Sequence, residues 1–369
     1  MLFTQLETGG AQTRTFQTAG ELRLRGHEVS VFSIYKARDC FEDESRTILA
    51  DGKSAGQVVK AAIRFWRELR RVRYDVVICN TAPANLFGCL LALLAGVRVR
   101  LSWQTQPPQR LSSAVQALDH LWGRLGIYTR TVANSEWTRT CFAGRCPAYL
   151  ARMRTVPDGI AARIEDRTRQ EVRAELGIQP DVALIVTAGR LSRQKGHDTL
   201  IRAMSMISDA RLLVLGDGEL RDDLKALIDQ HQLADRVRLV GEVPGPMVAA
   251  YLRATDVFAF PSRWETFGLA VIEAAANGIP LVTSDLDVLR EVLLLPDGRL
   301  ACRMAPVDQA EPLAAEIASV LSQPELAQTL SAMSLEVAKM HSLAKHVDRI
   351  ETLIADSRSP GVRARRPRG

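Results

Sequence analysis

Short, continuously apolar runs rich in Val, Ile and Leu alternate with longer amphipathic segments through most of the chain. Such runs are typical of strands that are buried on both faces, because a half-exposed strand would alternate apolar and polar residues. The runs that we interpret as strands are 75-DVVIC-79, 182-VALIVTAG-189, 211-RLLVLG-216, 237-VRLVG-241, 257-VFAF-260 and 280-PLVTS-284. Strands of this kind, joined by helices, predict parallel sheets with helices on both faces.

The alternation occurs twice, from Met1 to about Val156 and from about Val182 to Gln323. Between the two sets, residues 157–181 begin with a Pro-Asp-Gly turn and predict a connector with one charged helix. A chain of 369 residues is long enough for two ordinary domains. We therefore predict an α/β fold of two doubly wound, Rossmann-like domains that face each other across a cleft, with ligands at the carboxyl ends of the strands.

The net charge of +6 suggests nucleic-acid binding, but the charge is concentrated at the C-terminus. Segment 358-RSPGVRARRPRG-369 contains five arginines and no acidic residue, so the rest of the chain is nearly neutral. A nearly neutral body lacks the basic surface that phosphate backbones require, so we expect no nucleic-acid partner. We interpret residues 357–369 as a basic disordered tail, with contact to an anionic membrane surface as the alternative.

Cysteine spacing and hydropathy point to a cytoplasmic protein. The six cysteines show neither a disulfide framework nor metal-site spacing, and the N-terminus has no secretory signal. The longest apolar run, 86-LFGCLLALLAGV-97, is shorter than the roughly 20 residues of a membrane-spanning helix. The basic segment 61-AAIRFWRELRRVR-73 is interpreted as an ordinary helix that packs on the sheet. Its alternative is peripheral docking on the inner face of the membrane.

Two near-matches to phosphate-binding motifs fail on their glycines. Segment 47-TILADGKS-54 has threonine where a P-loop needs its first glycine, and 216-GDGELR-221 has Arg221 where a dinucleotide fingerprint needs its third. Neither segment therefore predicts a nucleoside triphosphatase or a nicotinamide enzyme.

Two cations follow a predicted buried strand. Segment 189-GRLSRQKGHDTLI-201 places Arg190 and Lys195 on the turn between that strand and a helix, where a ligand of this fold would lie. The planar donor fork of arginine and the mobile charge of lysine together suit a diphosphate. The alternative is that both are solvated loop cations.

Two glutamates follow the strand 257-VFAF-260. We expect a helix from near Phe267 to Asn277, with Glu265 just before it and Glu273 about two turns into it. Free amides at the start of such a helix form an anion site, and carboxylates suit the paired hydroxyls of a sugar. The alternative is an ordinary solvated helix face.

Seven segments carry a family resemblance, and in chain order they are 9-GGAQTRTFQTAGELRLRGHEVSVFS-33, 75-DVVICN-80, 132-VANSEWTR-139, 156-VPDGI-160, 189-GRLSRQKG-196, 213-LVLGDGELRDDL-224 and 261-PSRWETFGLAVIEAAANGIP-280. Together they resemble a retaining glycosyltransferase of family 4, which has the GT-B fold. Segment 341-HSLAKHVDRIETLI-354 resembles the family's closing helix. The resemblance implies an N-terminal acceptor domain at 1–160 with a crossing helix at 341–356, and a donor domain at 161–340.

The resemblance also implies the roles of the charged residues. Arg190 and Lys195 would neutralise the diphosphate of a nucleotide sugar in place of a metal, so no metal or other cofactor is expected. Glu265 would contact the donor sugar and act with the two cations in catalysis, whereas Glu273 would hold the nucleotide ribose. The other implied donor-binding residues are Gly9, Gly10, Gln104, Gly189, Phe267, Gly268 and Leu269.

The reaction implied is transfer of a hexosyl unit, with retention, to a glycan or lipid-linked saccharide in cell-surface polysaccharide or lipopolysaccharide assembly. The chain departs from the family pattern at Gln104, where members commonly carry histidine, and at Asp158, where they carry asparagine. Asp287 and Val288 replace a pair of glycines. The alternatives are an enzyme similar to nonhydrolysing nucleotide-sugar epimerases and a non-catalytic subunit that binds nucleotide sugars.

Overall fold

The computed structural model of the chain describes residues 1–6, 10–36, 46–52, 54–161 and 163–358. Contacts within the chain group into two compact units, Met1–Gly159 with the segment from Leu343 onward, and Ile160–Ser342. Each unit is built on one parallel sheet with helices on both faces, as the continuous apolar runs predict.

The first unit contains a seven-stranded sheet in the order β3-β2-β1-β4-β5-β6-β7, with every neighbouring pair parallel. Its strands are β1 Leu2–Leu6, β2 Val31–Lys36, β3 Arg46–Ala50, β4 Val76–Asn80, β5 Val99–Gln104, β6 Arg130–Ala133 and β7 Met153–Thr155. Its helices are α1 Gly10–Leu24, α2 Ala55–Val72, α3 Ala82–Leu94, α4 Ser113–Leu125, α5 Glu136–Thr140, α6 Pro147–Leu150 and the C-terminal helix Leu343–Arg358.

Alternate residues of each central strand supply two cores, one on each face of this sheet. On one face, Cys79 belongs to a cluster with Phe65 of α2 and Cys89 of α3. On the other face, Ile78 and Leu101 pack against Ile350 of the C-terminal helix. The C-terminal helix is therefore part of the first unit although the second unit precedes it in sequence.

The second unit contains a six-stranded parallel sheet in the order β10-β9-β8-β11-β12-β13. Its strands are β8 Ala183–Ala188, β9 Ala210–Leu215, β10 Val237–Gly241, β11 Val257–Phe260, β12 Leu281–Ser284 and β13 Arg303–Ala305. Its helices are α7 Arg169–Glu175, α8 His197–Met204, α9 Arg221–Gln230, α10 Gly245–Ala254, α11 Leu269–Ala276, α12 Asp287–Leu293, α13 Ala310–Ser322 and α14 Pro324–Met340, so that the C-terminal helix is α15.

In both units the first strand of the sheet lies inside it, and the chain adds strands first on one side of that strand and then on the other. This is the doubly wound arrangement. The reversal points lie between β1 and β4 in the first unit and between β8 and β11 in the second. In such sheets the carboxyl ends of the two strands at the reversal point open a crevice for ligands. The turns after β8 and β11 are therefore the places to look for a site in the second unit.

The predicted strands and the α/β fold class are confirmed, and the charged helix of the connector is α7. One boundary was wrong: α11 begins at Leu269 rather than near Phe267, because Gly268 with φ of 94° forms its N-cap. Of the predicted tail at 357–369, Ser357 and Arg358 belong to α15, and the residues from 359 onward lie outside the described residues. None of the described helices combines the length and apolarity that crossing a bilayer requires.

Candidate donor site

The turn after β8, residues 189–196, carries Arg190 and Lys195, and we call it the cation loop. Its last residue, Gly196, has φ of 63° and precedes α8. A Cβ atom at this position would lie 2.1 Å from the carbonyl oxygen of Pro261, so only glycine lets the turn approach the end of β11 this closely. The sequence thus fixes the cation loop at the reversal point of the sheet.

The turn after β11, residues 261–268, carries Glu265, and we call it the carboxylate loop. Glu265 is buried, and its Oε1 accepts hydrogen bonds from Lys195 Nζ at 2.5 Å and from Ser262 Oγ at 2.9 Å. A carboxylate can be buried only where opposite charge and hydrogen bonds offset its desolvation. The structure therefore brings two of the three predicted catalytic residues into direct contact.

Lys195 has neighbours along its aliphatic stem and at its ammonium group. A Cβ atom at position 189 would lie 3.2 Å from Lys195 Cδ and Cε, so Gly189 leaves room for the aliphatic stem. The ammonium lies 5.0 Å from the ring centroid of Phe260, which adds a cation–π attraction. Arg190, the other predicted cation of the loop, lies at the exposed side of the turn.

The start of α11 offers three backbone donors. Within the part of the chain that the structure describes, the N–H groups of Phe267, Gly268 and Leu269 donate no hydrogen bond. The ring of Phe267 is buried, with its centroid 5.2 Å from that of His341. Phe267 can therefore offer a ligand its backbone amide but not its side chain. Free amides at a helix start attract an anion, so the anion site predicted from the sequence stays a prediction with three available donors.

Glu273 lies one turn into α11 and not two, because the helix begins later than expected. Burial raises the pKa of its carboxyl group, and the nearby Arg163 guanidinium opposes this effect. Among the described residues, no side chain donates a hydrogen bond to this carboxylate, and none joins it to the Lys195–Glu265 pair. Its oxygens thus keep their capacity to accept hydrogen bonds from a ligand.

The donor-binding residues predicted in the first unit are Gln104, Gly10 and Gly9, and of the two that the structure describes only Gln104 is buried. Gln104 is buried at the end of β5, and its Nε2 donates to Asp119 Oδ1 at 3.0 Å and to the Tyr149 hydroxyl at 3.3 Å. Gly10 is exposed at the start of α1, whereas Gly9 lies outside the described residues. The amide nitrogen of Gln104 is therefore already engaged within its own unit.

A buried charge network at the carboxyl edge of the first sheet was not predicted from the sequence. Arg14 of α1 forms an ion pair with Asp158, and its Nη2 donates to Asn80 Oδ1 at 2.5 Å. Asn134 Nδ2 donates to Asp158 Oδ2 at 3.1 Å, and the Arg14 guanidinium lies 4.5 Å from the Trp103 ring centroid. The exchange of the family's asparagine for Asp158 was the available signal, since the added carboxylate needs a cation.

Comparison with known proteins supports a single family across both units. The family model described as glycosyl transferases group 1 matches residues 168–335, and the model described as glycosyltransferase family 4 matches residues 8–163. A D-inositol 3-phosphate glycosyltransferase of Catenulispora acidiphila is 30% identical over 315 residues, which cover 75% of this chain and 71% of that protein. The chain therefore belongs to the group 1 glycosyltransferases.

Other similarities vary in extent. An uncharacterized glycosyltransferase of Methanocaldococcus jannaschii is 30% identical over 236 residues, and the match spans only 60% of each protein. Among solved structures, sucrose-phosphate synthase of Thermosynechococcus elongatus has a TM-score of 0.82 at 20% identity and covers 96% of this chain and 97% of its own.

Two further solved structures share the fold at similar coverage. Anabaena HepE in complex with UDP and glucose has a TM-score of 0.80 at 18% identity, covering 96% of this chain and 99% of its own. WaaG, a glycosyltransferase involved in lipopolysaccharide biosynthesis, has a TM-score of 0.73 at 17% identity, covering 96% and 99%. These likenesses confirm the GT-B fold class.

Proposed function

We propose that this chain is a retaining, metal-independent glycosyltransferase that moves a hexosyl unit from a nucleotide diphosphate sugar to a glycan or lipid-linked saccharide. The observation that carries the proposal is the Lys195–Glu265 pair beside the free amides at the start of α11. One loop supplies positive charge, the other supplies a carboxylate and amides, and both lie at the reversal point of one sheet. This combination suits a ligand that carries both a diphosphate and a sugar.

The proposed donor spans these groups. Lys195, Arg190 and the amides of residues 267–269 take the diphosphate, because donors in a partly buried site stabilise negative charge without a metal. Glu265 accepts hydrogen bonds from the sugar hydroxyls, and Glu273 accepts them from the ribose. HepE, whose structure contains UDP and glucose, supports a nucleotide sugar as the donor class.

The proposed reaction needs no dedicated protein base. The acceptor hydroxyl attacks the anomeric carbon from the face that the nucleotide leaves, and the bond between that carbon and the β-phosphate oxygen breaks. The acceptor proton passes to the departing β-phosphate, so atoms and charges balance. Lys195 and the amides stabilise the leaving diphosphate as its charge grows, which is the main catalytic contribution.

The proposed acceptor site lies in the first unit. At its reversal point, Thr81 adopts φ of 99°, which is a strained conformation for a β-branched residue, and its Oγ1 lies 2.6 Å from Thr4 Oγ1. Thr4 lies within β1 and Thr81 directly follows β4, and two adjacent hydroxyls at the reversal point suit hydrogen bonding to a saccharide. A raised KM for the acceptor in Thr4→Val would test this placement.

A peripheral position on the inner membrane surface, with an acceptor in polysaccharide or lipopolysaccharide assembly, is the finer part of the proposal. On α2, Val59, Ile63 and Trp66 are exposed at helical spacing, with the Arg70 guanidinium 5.6 Å from the Trp66 ring centroid. Exposed apolar residues flanked by arginines are typical of helices that lie on anionic membranes. WaaG, which is involved in lipopolysaccharide biosynthesis, supports the acceptor class alone, and sedimentation with anionic vesicles tests the membrane position.

The proposal is tested by incubating the protein with UDP-, GDP- and ADP-sugars in EDTA. We expect one donor to be transferred or slowly hydrolysed, with the anomeric configuration retained by NMR. Lys195→Ala should lower kcat by about 10²–10³-fold, because it removes a donor to the developing diphosphate charge. Lys225→Ala, which changes an exposed lysine of α9, is the matched control and should leave kcat unchanged.

The same assay separates the alternatives. Interconversion of two nucleotide sugars without transfer would identify an epimerase-like enzyme. Tight donor binding with no turnover would identify a binding subunit. If no donor binds, or Lys195→Ala matches Lys225→Ala, the proposal is wrong.

A further inference from the structure

Arg263 connects the two loops of the donor site away from the Lys195–Glu265 pair. Its backbone N–H donates to the Gln194 carbonyl at 2.7 Å, and its Nη1 donates to the Arg193 carbonyl at 2.8 Å. Gln194 Nε2 donates in return to the Trp264 carbonyl at 3.0 Å. Three hydrogen bonds therefore join the carboxylate loop to the cation loop through residues next to the catalytic ones.

The guanidinium of Arg263 is itself anchored by two carboxylates. Nη1 and Nη2 donate to Asp198 Oδ1 and Oδ2, both at 2.9 Å, and Nε lies 2.6 Å from Asp308 Oδ1. Bidentate pairs of this kind fix orientation as well as adding energy. Because Asp198 lies in the first turn of α8, the pair ties the carboxylate loop to a helix of the unit.

The Arg263–Asp198 ion pair, which we call the anchor, lies close to the predicted catalytic residues in the sequence. Arg263 lies two residues before Glu265, and Asp198 lies three residues after Lys195. The side chains of Arg263 and Asp198 are 18% and 22% exposed, so solvent screens their attraction less than that of a surface pair. The anchor can therefore hold both loops whether or not Lys195 contacts Glu265.

We propose that Arg263 is a positioning residue that keeps Lys195 and Glu265 in place when the donor diphosphate competes for the lysine. The inference rests on the proposed function, because it assigns Arg263 to the same site. Without the anchor, the anion that Lys195 binds would break the link between Lys195 and Glu265, and the two hydrogen bonds of Gln194 to the carboxylate loop would be left to hold the loops together. With it, the ammonium turns to the phosphate while the Glu265 carboxylate stays directed at the sugar.

The test compares Arg263→Ala with Arg202→Ala. Arg202 also contacts Asp198, with Nη1 3.0 Å from Oδ2, but it touches neither loop, so it is the matched control. We expect Arg263→Ala to lower kcat by about 10–100-fold, as displacement of reacting groups does, with a smaller change in donor KM. Arg202→Ala should stay within about twofold of the wild type.

Rescue separates positioning from general destabilisation. Arg263→Lys should recover part of the lost kcat, because it restores one charged contact to Asp198, and its melting temperature should match that of Arg263→Ala. If Arg263→Ala does not fold, Asp198→Asn supplies the same test, because it removes the charge and keeps the size. We expect Asp198→Asn to lower kcat in the same direction.

The outcomes are distinguishable from a failure of the proposed function. If the wild type turns over no nucleotide sugar, the proposed function fails. If the wild type is active and Arg263→Ala retains more than about half of its kcat, or Arg202→Ala loses as much, the positioning role of Arg263 is overturned.

Discussion

The two sheets share the doubly wound strand order, but the cations at their carboxyl edges differ in burial. In the first unit, Arg14 is buried and its charge is matched within the unit by Asp158. In the second unit, Arg190 is exposed and Lys195 is partly exposed on the cation loop. Strand order alone therefore predicts where a ligand site lies in each unit, but not which edge has charge to offer a ligand.

The difference follows from the cost of desolvation. In a buried ion pair, the attraction between the two charges offsets the cost of desolvating them. Its cation is therefore not available to bind a further anion. A partly exposed lysine with one carboxylate partner loses less hydration and can exchange that partner for a phosphate. We infer that the first edge is structural around Arg14 and that the second edge binds charge.

The largest expected effect is on the buried pair. Asp158→Ala should lower the free energy of unfolding by about 3–5 kcal/mol, because it leaves the Arg14 charge buried without its partner. Denaturant unfolding followed by circular dichroism measures the change.

The matched control is Asp348→Ala in the same unit. Asp348 pairs with Arg25 at 2.6 Å but is largely exposed, so its loss should cost no more than about 1 kcal/mol. Similar costs for the two variants would show that the Arg14–Asp158 pair is not the buried structural link described here.

Much of this comparison was predictable from the sequence. Continuous apolar runs predicted both sheets, and the order of Arg190, Lys195, Glu265 and Glu273 placed them on turns and a helix start of one unit. Their proximity could not be read from spacing, since 70 residues separate Lys195 from Glu265.

The sequence did not reveal the contacts that depend on three-dimensional packing. Arg14 and Asp158 are 144 positions apart, and nothing local marks either as buried. The start of α11 was placed too early because the left-handed conformation of Gly268 is invisible in the hydrophobic pattern.

A smaller effect is expected from a histidine in the first unit. His346 of α15 is buried, its Nδ1 lies 2.9 Å from the Pro157 carbonyl, and burial lowers its pKa to about 4. The unfolded chain binds a proton near pH 6.5 that the folded unit does not bind until about pH 4. His346 therefore reduces stability as the pH falls from 6.5 towards 4, by up to about 1.4 kcal/mol per pH unit.

The measurement is the pH dependence of unfolding in the wild type and in His346→Gln, which keeps a donor near Pro157. We expect a flatter slope between pH 4 and 6.5 in the variant. His197 of the second unit, whose pKa burial lowers to about 3, should contribute to the remaining slope in both proteins. Identical slopes would contradict the burial of a neutral His346.

We propose that the second unit binds a nucleoside diphosphate with its own cations and amides. Calorimetric titration of UDP, GDP and ADP in EDTA, with the wild type and Arg190→Ala side by side, tests this binding. We predict that one of the three binds the wild type with a stoichiometry of one, and that Arg190→Ala weakens it about tenfold or more through loss of a charged hydrogen bond. Equal affinity of the two proteins, or binding only after a divalent metal is added, would show that Arg190 and the amides do not form a metal-independent diphosphate site.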